Sequence, residues 1–288
     1  MIDMRQLDDW LAAADYTADT RSQYTRYLTL LFFWIHQRGI ELADLRPAQL
    51  VEFLDEHPGW GPTVRHNVTY SLRAFLRAQG QADHPIMLMK ARRPEAGPQR
   101  TLNMDDVANL LQACAPGRPK DVRNAAVICL LLDSGLRASE LCRLSLSGTD
   151  LDQLRLSVLG KGRRWRRCVF SEVTAQRIRA WLPVRQLFAS ADTDALFVSV
   201  GGLTPGQAMT RYGWTLAWTD LAKRAGLAAL SSHDFRRTFA VLSAQNRMPL
   251  NVLMSQGGWS STEVAGRYLL ALSLENARVF LPTADLPL

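Results

Sequence analysis

One interruption governs how this chain can fold. Between Met89 and Arg100 the run MKARRPEAGPQR places two prolines, a glycine and four basic residues where an apolar repeat would otherwise continue. On either side apolar residues return at helical spacing, so the chain must build two cores. We read residues 1–88 as one domain, 89–100 as a basic linker and 101–288 as a second domain. A length of 288 residues agrees, at roughly 150 per domain.

The spacing predicts that residues 1–88 are all helical. Thr20 opens a stretch that carries Tyr27, Leu28, Leu31, Phe32 and Ile35 on one face and ends at Gly39. Pro47 to Leu54 and Pro62 to Gln79 follow, each starting on a proline suited to a first helical turn, and Gly80 stops the second. In the second domain Asn103 caps a helix running to about Ala113, with Asp105 and Asp106 in its first turn. Asp121 to Asp133 is the most apolar helix and the expected centre of the core. Leu154 to Phe170 then alternates, as LRLSVLG and RRWRRCVF, and predicts a β-hairpin turning at Gly160-Lys161-Gly162. From Thr174 the chain is mostly helical again. The fold class is therefore mainly α, an all-helical N-terminal domain followed by a mixed α+β domain with a small antiparallel hairpin.

Several classes of function drop out on composition. The longest apolar runs, Ala125–Leu132 and Leu30–Ile35, are far short of the roughly 18 residues of a membrane span. The first residues carry acids and a tryptophan where a signal peptide needs a basic start and an apolar stretch, which reads as cytoplasmic. Cys114, Cys129, Cys142 and Cys168 form no CxxC pair, so they read as small buried thiols in a reducing compartment. His36, His57, His66, His84 and His233 are scattered, with no carboxylate cluster beside them, and no metal site is expected.

Charge separates the two domains. Residues 1–88 hold 8 Lys and Arg against 11 Asp and Glu, a net of −3, while residues 89–288 hold 26 against 16, a net of +10. Such a surplus points to a polyanion such as nucleic acid, although a solvated basic face gives the same arithmetic.

Four segments of the second domain carry chemistry: Ser134-Gly-Leu-Arg-Ala-Ser-Glu140, Gly160-Lys-Gly162, His233-Asp-Phe-Arg236 and Gly257-Gly-Trp-Ser-Ser-Thr-Glu-Val-Ala-Gly-Arg-Tyr268. In this order and spacing they resemble the tyrosine recombinase (phage integrase) family, and the helical first domain resembles that family's core-binding, SAM-like domain. The resemblance implies a site-specific DNA recombinase that cuts and rejoins strands through a 3′-phosphotyrosyl intermediate, with no metal, nucleotide or other cofactor.

The residue types suit that chemistry. A covalent link from phosphate to a hydroxyl stores the phosphodiester bond energy, and the Tyr268 phenol, with a pKa of about 10, both attacks and leaves readily. Planar guanidiniums hold the non-bridging oxygens of the transition state, the role the resemblance gives Arg137 and Arg236. His233, in the first turn of a helix, would move a proton or bond to the phosphate. Lys161, at the hairpin turn, would protonate the departing 5′ oxygen. Most family members have a histidine where this sequence has Trp259. An indole donates one N–H and cannot shuttle a proton, so Trp259 orients and packs.

Arg92, Arg93, Arg163, Arg164, Arg166 and Arg167 are expected to contact the DNA backbone, and Glu140 to orient Arg137. The resemblance further implies double-stranded DNA with specific recombination sites as substrate, and a tetramer on two such sites. The tail 271–288 would dock on the next protomer. A type IB topoisomerase-like enzyme shares this chemistry without the tetramer. A non-catalytic DNA-binding regulator would need the basic face but not all of these side chains.

Overall fold

The computed structural model describes residues 4–89, 100–160 and 164–269, apart from the side chains of Val264, Arg267, Tyr268 and Leu269. The chain divides into two units, Met1–Gly97 and Pro98–Leu288, each around its own hydrophobic cluster.

The first unit is built from α1 (Met4–Ala13), α2 (Ala18–Gln37), α3 (Pro47–Asp55) and α4 (Pro62–Ala78). Its core is Leu7, Leu28, Leu31, Ile35, Phe53, Leu72 and Phe75, all essentially without solvent contact. The second helix starts nearly a turn before Thr20, because the Thr17 hydroxyl accepts from the Thr20 N–H and takes the cap. Both α3 and α4 open on proline as the spacing predicts.

The second unit is arranged round α6 (Pro119–Ser134), which buries all but five of its sixteen residues. Before it lies α5 (Met104–Gln112), capped by Asn103 in a reciprocal box with Asp106. After it come α7 (Ala138–Leu141) and a three-stranded antiparallel sheet, β1 (Thr149–Asp150), β2 (Arg155–Leu159) and β3 (Trp165–Val169), in that order. The hairpin is the one the alternation predicts; the short β1 adds an edge strand that two residues of Thr-Asp give no periodicity to reveal. In the register Leu156 faces Cys168 and Val158 faces Arg166. Leu156, Val158 and Cys168 are buried, so Arg166 lies on the inward face of β3.

Next follow α8 (Glu172–Gln186), α9 (Arg211–Arg224), α10 (Ser232–Gln245), α11 (Leu250–Gly257) and α12 (Thr262–Leu269). Helices α8 and α10 pack on α6, and α12 packs on α10. Residues 187–210 between α8 and α9 contain no helix, and the isolated bridges Ser145–Ala195 and Val198–Ala208 tie them down. Among the described residues no helix is long and apolar enough to cross a membrane. All four cysteines are free thiols, and burial pushes that of Cys114 up to about 12 and those of Cys129 and Cys142 up to about 11.

Candidate active site

The end of α6 begins the site. Gly135 terminates this helix in the left-handed conformation, φ +57°, and a Cβ there would lie 2.2 Å from the Phe239 ring on α10. The chain therefore turns hard against α10, and the Gly135 carbonyl accepts from Arg236 Nη1 at 2.5 Å. Two residues on, Arg137 is the N-cap of α7, its backbone in an extended conformation. It does not end a helix; it starts one.

Glu140 fixes it there. The Glu140 carboxylate accepts the Arg137 backbone N–H at 2.9 Å and Arg137 Nη1 at 2.9 Å. It also accepts both arms of the Arg166 guanidinium, at 2.9 and 3.0 Å. Burial opposes the charge on Glu140, which is 2% exposed, but Arg166 and Arg137 outweigh it and hold the carboxyl below the usual range. Arg166 answers in kind: burial opposes its charge, Glu140 more than compensates, and its pKa rises.

This arrangement revises one expectation. The sequence grouped Arg166 with Arg163, Arg164 and Arg167 as a backbone contact, but the fork of Arg166 is engaged with Glu140, and its side chain is only 16% exposed. The signal was in the alternation, since Arg166 stands two residues from buried Cys168. Arg164 and Arg167 are exposed, as a phosphate contact requires.

Helix α10 supplies the other polar groups. Ser231 and Asp234 cap it reciprocally, with the Ser231 N–H and Oγ donating to the Asp234 carboxylate at 2.7 and 2.8 Å. His233 lies in the first turn, exposed at its edge. Partial desolvation, then Arg237, Arg236 and Arg137, lower its pKa below the ordinary histidine value. Arg236, one turn on, is 1% exposed and lies over the Trp259 ring, 4.4 Å from its centroid.

Trp259 follows α11, which Gly258 ends in the left-handed conformation, φ +65°. The Gly258 carbonyl accepts from Arg137 Nη2 at 3.2 Å, and a Cβ on Gly258 would lie 2.7 Å from Arg166 Cζ. At Gly257 a Cβ would meet the Trp259 ring at 2.3 Å, so two adjacent glycines make room for an arginine and an indole. Gln256, which sequence reasoning passed over, locks this corner. Its amide accepts from the Val169 N–H at 3.1 Å and donates to the Asp133 and Val169 carbonyls, joining α11 to β3 and to the end of α6.

Tyr268 falls on α12, three residues after Ala265, which is buried in a small cluster with Phe239, Ala240, Leu253 and Trp259. The helix is thus seated beside Trp259 and α10. Lys161, Arg163, Arg92, Arg93 and the tail 271–288 lie outside the described residues. Among the described residues no three His, Cys, Asp or Glu side chains come together as a metal site.

Arg137, His233, Arg236 and Trp259 thus converge from three separated segments. A family model, that of the phage integrase family, matches residues 100–273, which contain all of them. The chain belongs to the phage integrase family. Its activity is that of the tyrosine recombinases, strand cleavage and rejoining. Curated relatives agree: it is 30% identical to the tyrosine recombinase XerC of Chromohalobacter salexigens over 86% of this chain and 85% of that one. To the XerD of Neisseria meningitidis serogroup A it is 26% identical over 83% of both.

Among solved structures, the Tn1549 transposon integrase in complex with transposon right end DNA superposes with a TM-score of 0.76 at 17% identity, over 96% of this chain and 97% of that one. XerH bound to palindromic difH superposes at 0.73 and 18% identity, over 99% and 86%. At these identities the likeness is one of fold.

Proposed function

We propose that this recombinase works at specific sites on double-stranded DNA with Tyr268 as nucleophile and Arg137, Lys161, His233, Arg236 and Trp259 around the scissile phosphate. The observation that carries this reading is the convergence of two guanidiniums, one oriented by a buried carboxylate and one by a carbonyl and an indole face, beside the helix that bears Tyr268. Two preorganised cations meet the charge that develops on non-bridging oxygens.

The Tyr268 oxygen bonds to phosphorus while the bond to the 5′ oxygen breaks. The phenol's proton passes to His233, whose neutral imidazole is favoured by its lowered pKa, and Lys161 delivers a proton to the 5′ oxygen. A 3′-phosphotyrosyl link remains. Attack by the 5′-hydroxyl of a partner strand reverses the steps, with Tyr268 leaving, and joins the new pair.

Exchange between two sites needs four cuts, hence a tetramer working on cytoplasmic, nucleoid DNA. The first domain and the basic residues Arg92, Arg93, Arg163, Arg164 and Arg167 would contribute backbone contacts. The curated XerC and XerD relatives are named as recombinases, and solved homologues are described as bound to recombination-site DNA, which supports this substrate.

The test uses the chain's preferred inverted-repeat site, selected from random duplexes and placed twice on one supercoiled plasmid. Recombinant circles formed in EDTA without nucleotide are expected. Relaxed plasmid without recombinants would instead favour a type IB topoisomerase.

A further inference from the structure

We propose that Arg166 is a positioning residue for cleavage: it neutralises Glu140, so that this carboxylate orients Arg137 without cancelling the charge Arg137 presents to the scissile phosphate. This rests on the function proposed above.

Glu140 poses an electrostatic problem. A buried carboxylate 2.9 Å from Arg137 Nη1 fixes that guanidinium, yet a pair of opposite charges is neutral as a whole, and the carboxylate repels the phosphate that the arginine must attract. The bidentate bond from Arg166, at 2.9 and 3.0 Å, supplies a second positive charge. Two guanidiniums on one carboxylate leave the group at +1, the charge of an arginine alone, while Arg137 keeps its hydrogen bonds.

The surroundings hold this counterweight in place. Gly258 lets the Arg166 guanidinium lie against the backbone, where a Cβ would approach within 2.7 Å of Cζ. The carbonyl of Gly258 holds the other arm of Arg137 at 3.2 Å. The Arg166 side chain, at 16% exposure against 35% for Arg137, stays behind the carboxylate while Arg137 remains the more open of the two. A purely structural ion pair would serve equally well as a neutral pair of matching shape, and that difference is measurable.

The experiment follows the rate of covalent adduct formation on a nicked suicide duplex, with duplex affinity and thermal melting measured in parallel. Arg166→Met is expected to slow cleavage about 10- to 100-fold, the range for groups that orient a primary ligand, with affinity little changed. Adding Glu140→Gln removes the stranded charge and leaves an acceptor for Arg137, so the double variant should cleave at least about tenfold faster than Arg166→Met.

Arg166→Met cleaving within about tenfold of the parent, or a double variant that gains less than about tenfold, overturns the proposal. If Arg166→Met does not melt cooperatively, Arg166→Lys carries the test, keeping the charge without the fork. Cleavage within about tenfold of the parent then supports the role, and a deeper loss overturns it. A parent chain that forms no adduct overturns the function beneath the proposal, a failure seen before any variant is compared.

Discussion

Partial desolvation bears on the imidazole of His233 first, and the guanidiniums of Arg237, Arg236 and Arg137 add to it, together outweighing the neighbouring Asp234 carboxylate. Desolvation and the three cations disfavour imidazolium, so the neutral ring persists below the pH at which an ordinary histidine charges. If neutral His233 takes the phenol proton, the cleavage rate should stay flat as pH falls from 8 through the ordinary histidine value of 6.5 and decline only below it. His233→Gln should cost about a hundredfold or more and lose that acid limb. A pH–rate profile of adduct formation checks both, and an acid limb that survives in His233→Gln would assign it to another group. Arg236 illustrates the same economy of donors. Its 1% exposure places a full charge in the interior, where the Gly135 carbonyl and the Trp259 face receive it. This gives the indole a purpose independent of proton transfer, as its chemistry requires.

Among elements, the corner where α6, β3 and α11 meet determines the geometry of the site, and one amide holds it. Gln256 is 8% exposed and bonds to backbone groups of β3 and α6. Gln256→Leu would leave the Val169 N–H, the Val169 carbonyl and the Asp133 carbonyl without that partner. It should cost about 2 to 4 kcal/mol, read as a lowered midpoint in urea at unchanged slope. A midpoint equal to the parent's would show that the amide is dispensable.

This corner also shows what a sequence discloses. Arg137, His233, Arg236 and Trp259 sit in local motifs with short spacings, and helix caps such as Asn103–Asp106 are three-residue patterns, so they can be read along the chain. Arg166–Glu140 spans 26 residues and Gln256–Val169 spans 87, between elements that touch only after folding. An arginine in a run of cations reads as solvated until strand register pairs it with buried Val158 and folding brings it to Glu140.

For the whole molecule, charge governs the encounter with DNA. The formal net charge is +7, and the surplus lies beyond residue 88. Binding should fall steeply with salt, by about 0.9 in log affinity per log salt for each phosphate neutralised. Arg164→Ala with Arg167→Ala should lower that slope by about 2 and weaken binding alike on matched and mismatched duplexes. A salt titration by fluorescence anisotropy checks this; an unchanged slope would place the two arginines away from phosphate.

The central claim is that strand cleavage passes through a covalent bond to Tyr268. The direct measurement is mass spectrometry of peptides from adducts trapped on a suicide duplex. We expect the nucleotide on the peptide containing Tyr268, and no adduct from Tyr268→Phe despite intact duplex binding. An adduct formed by Tyr268→Phe, or a nucleotide mapped to any other residue of the parent chain, would contradict the account.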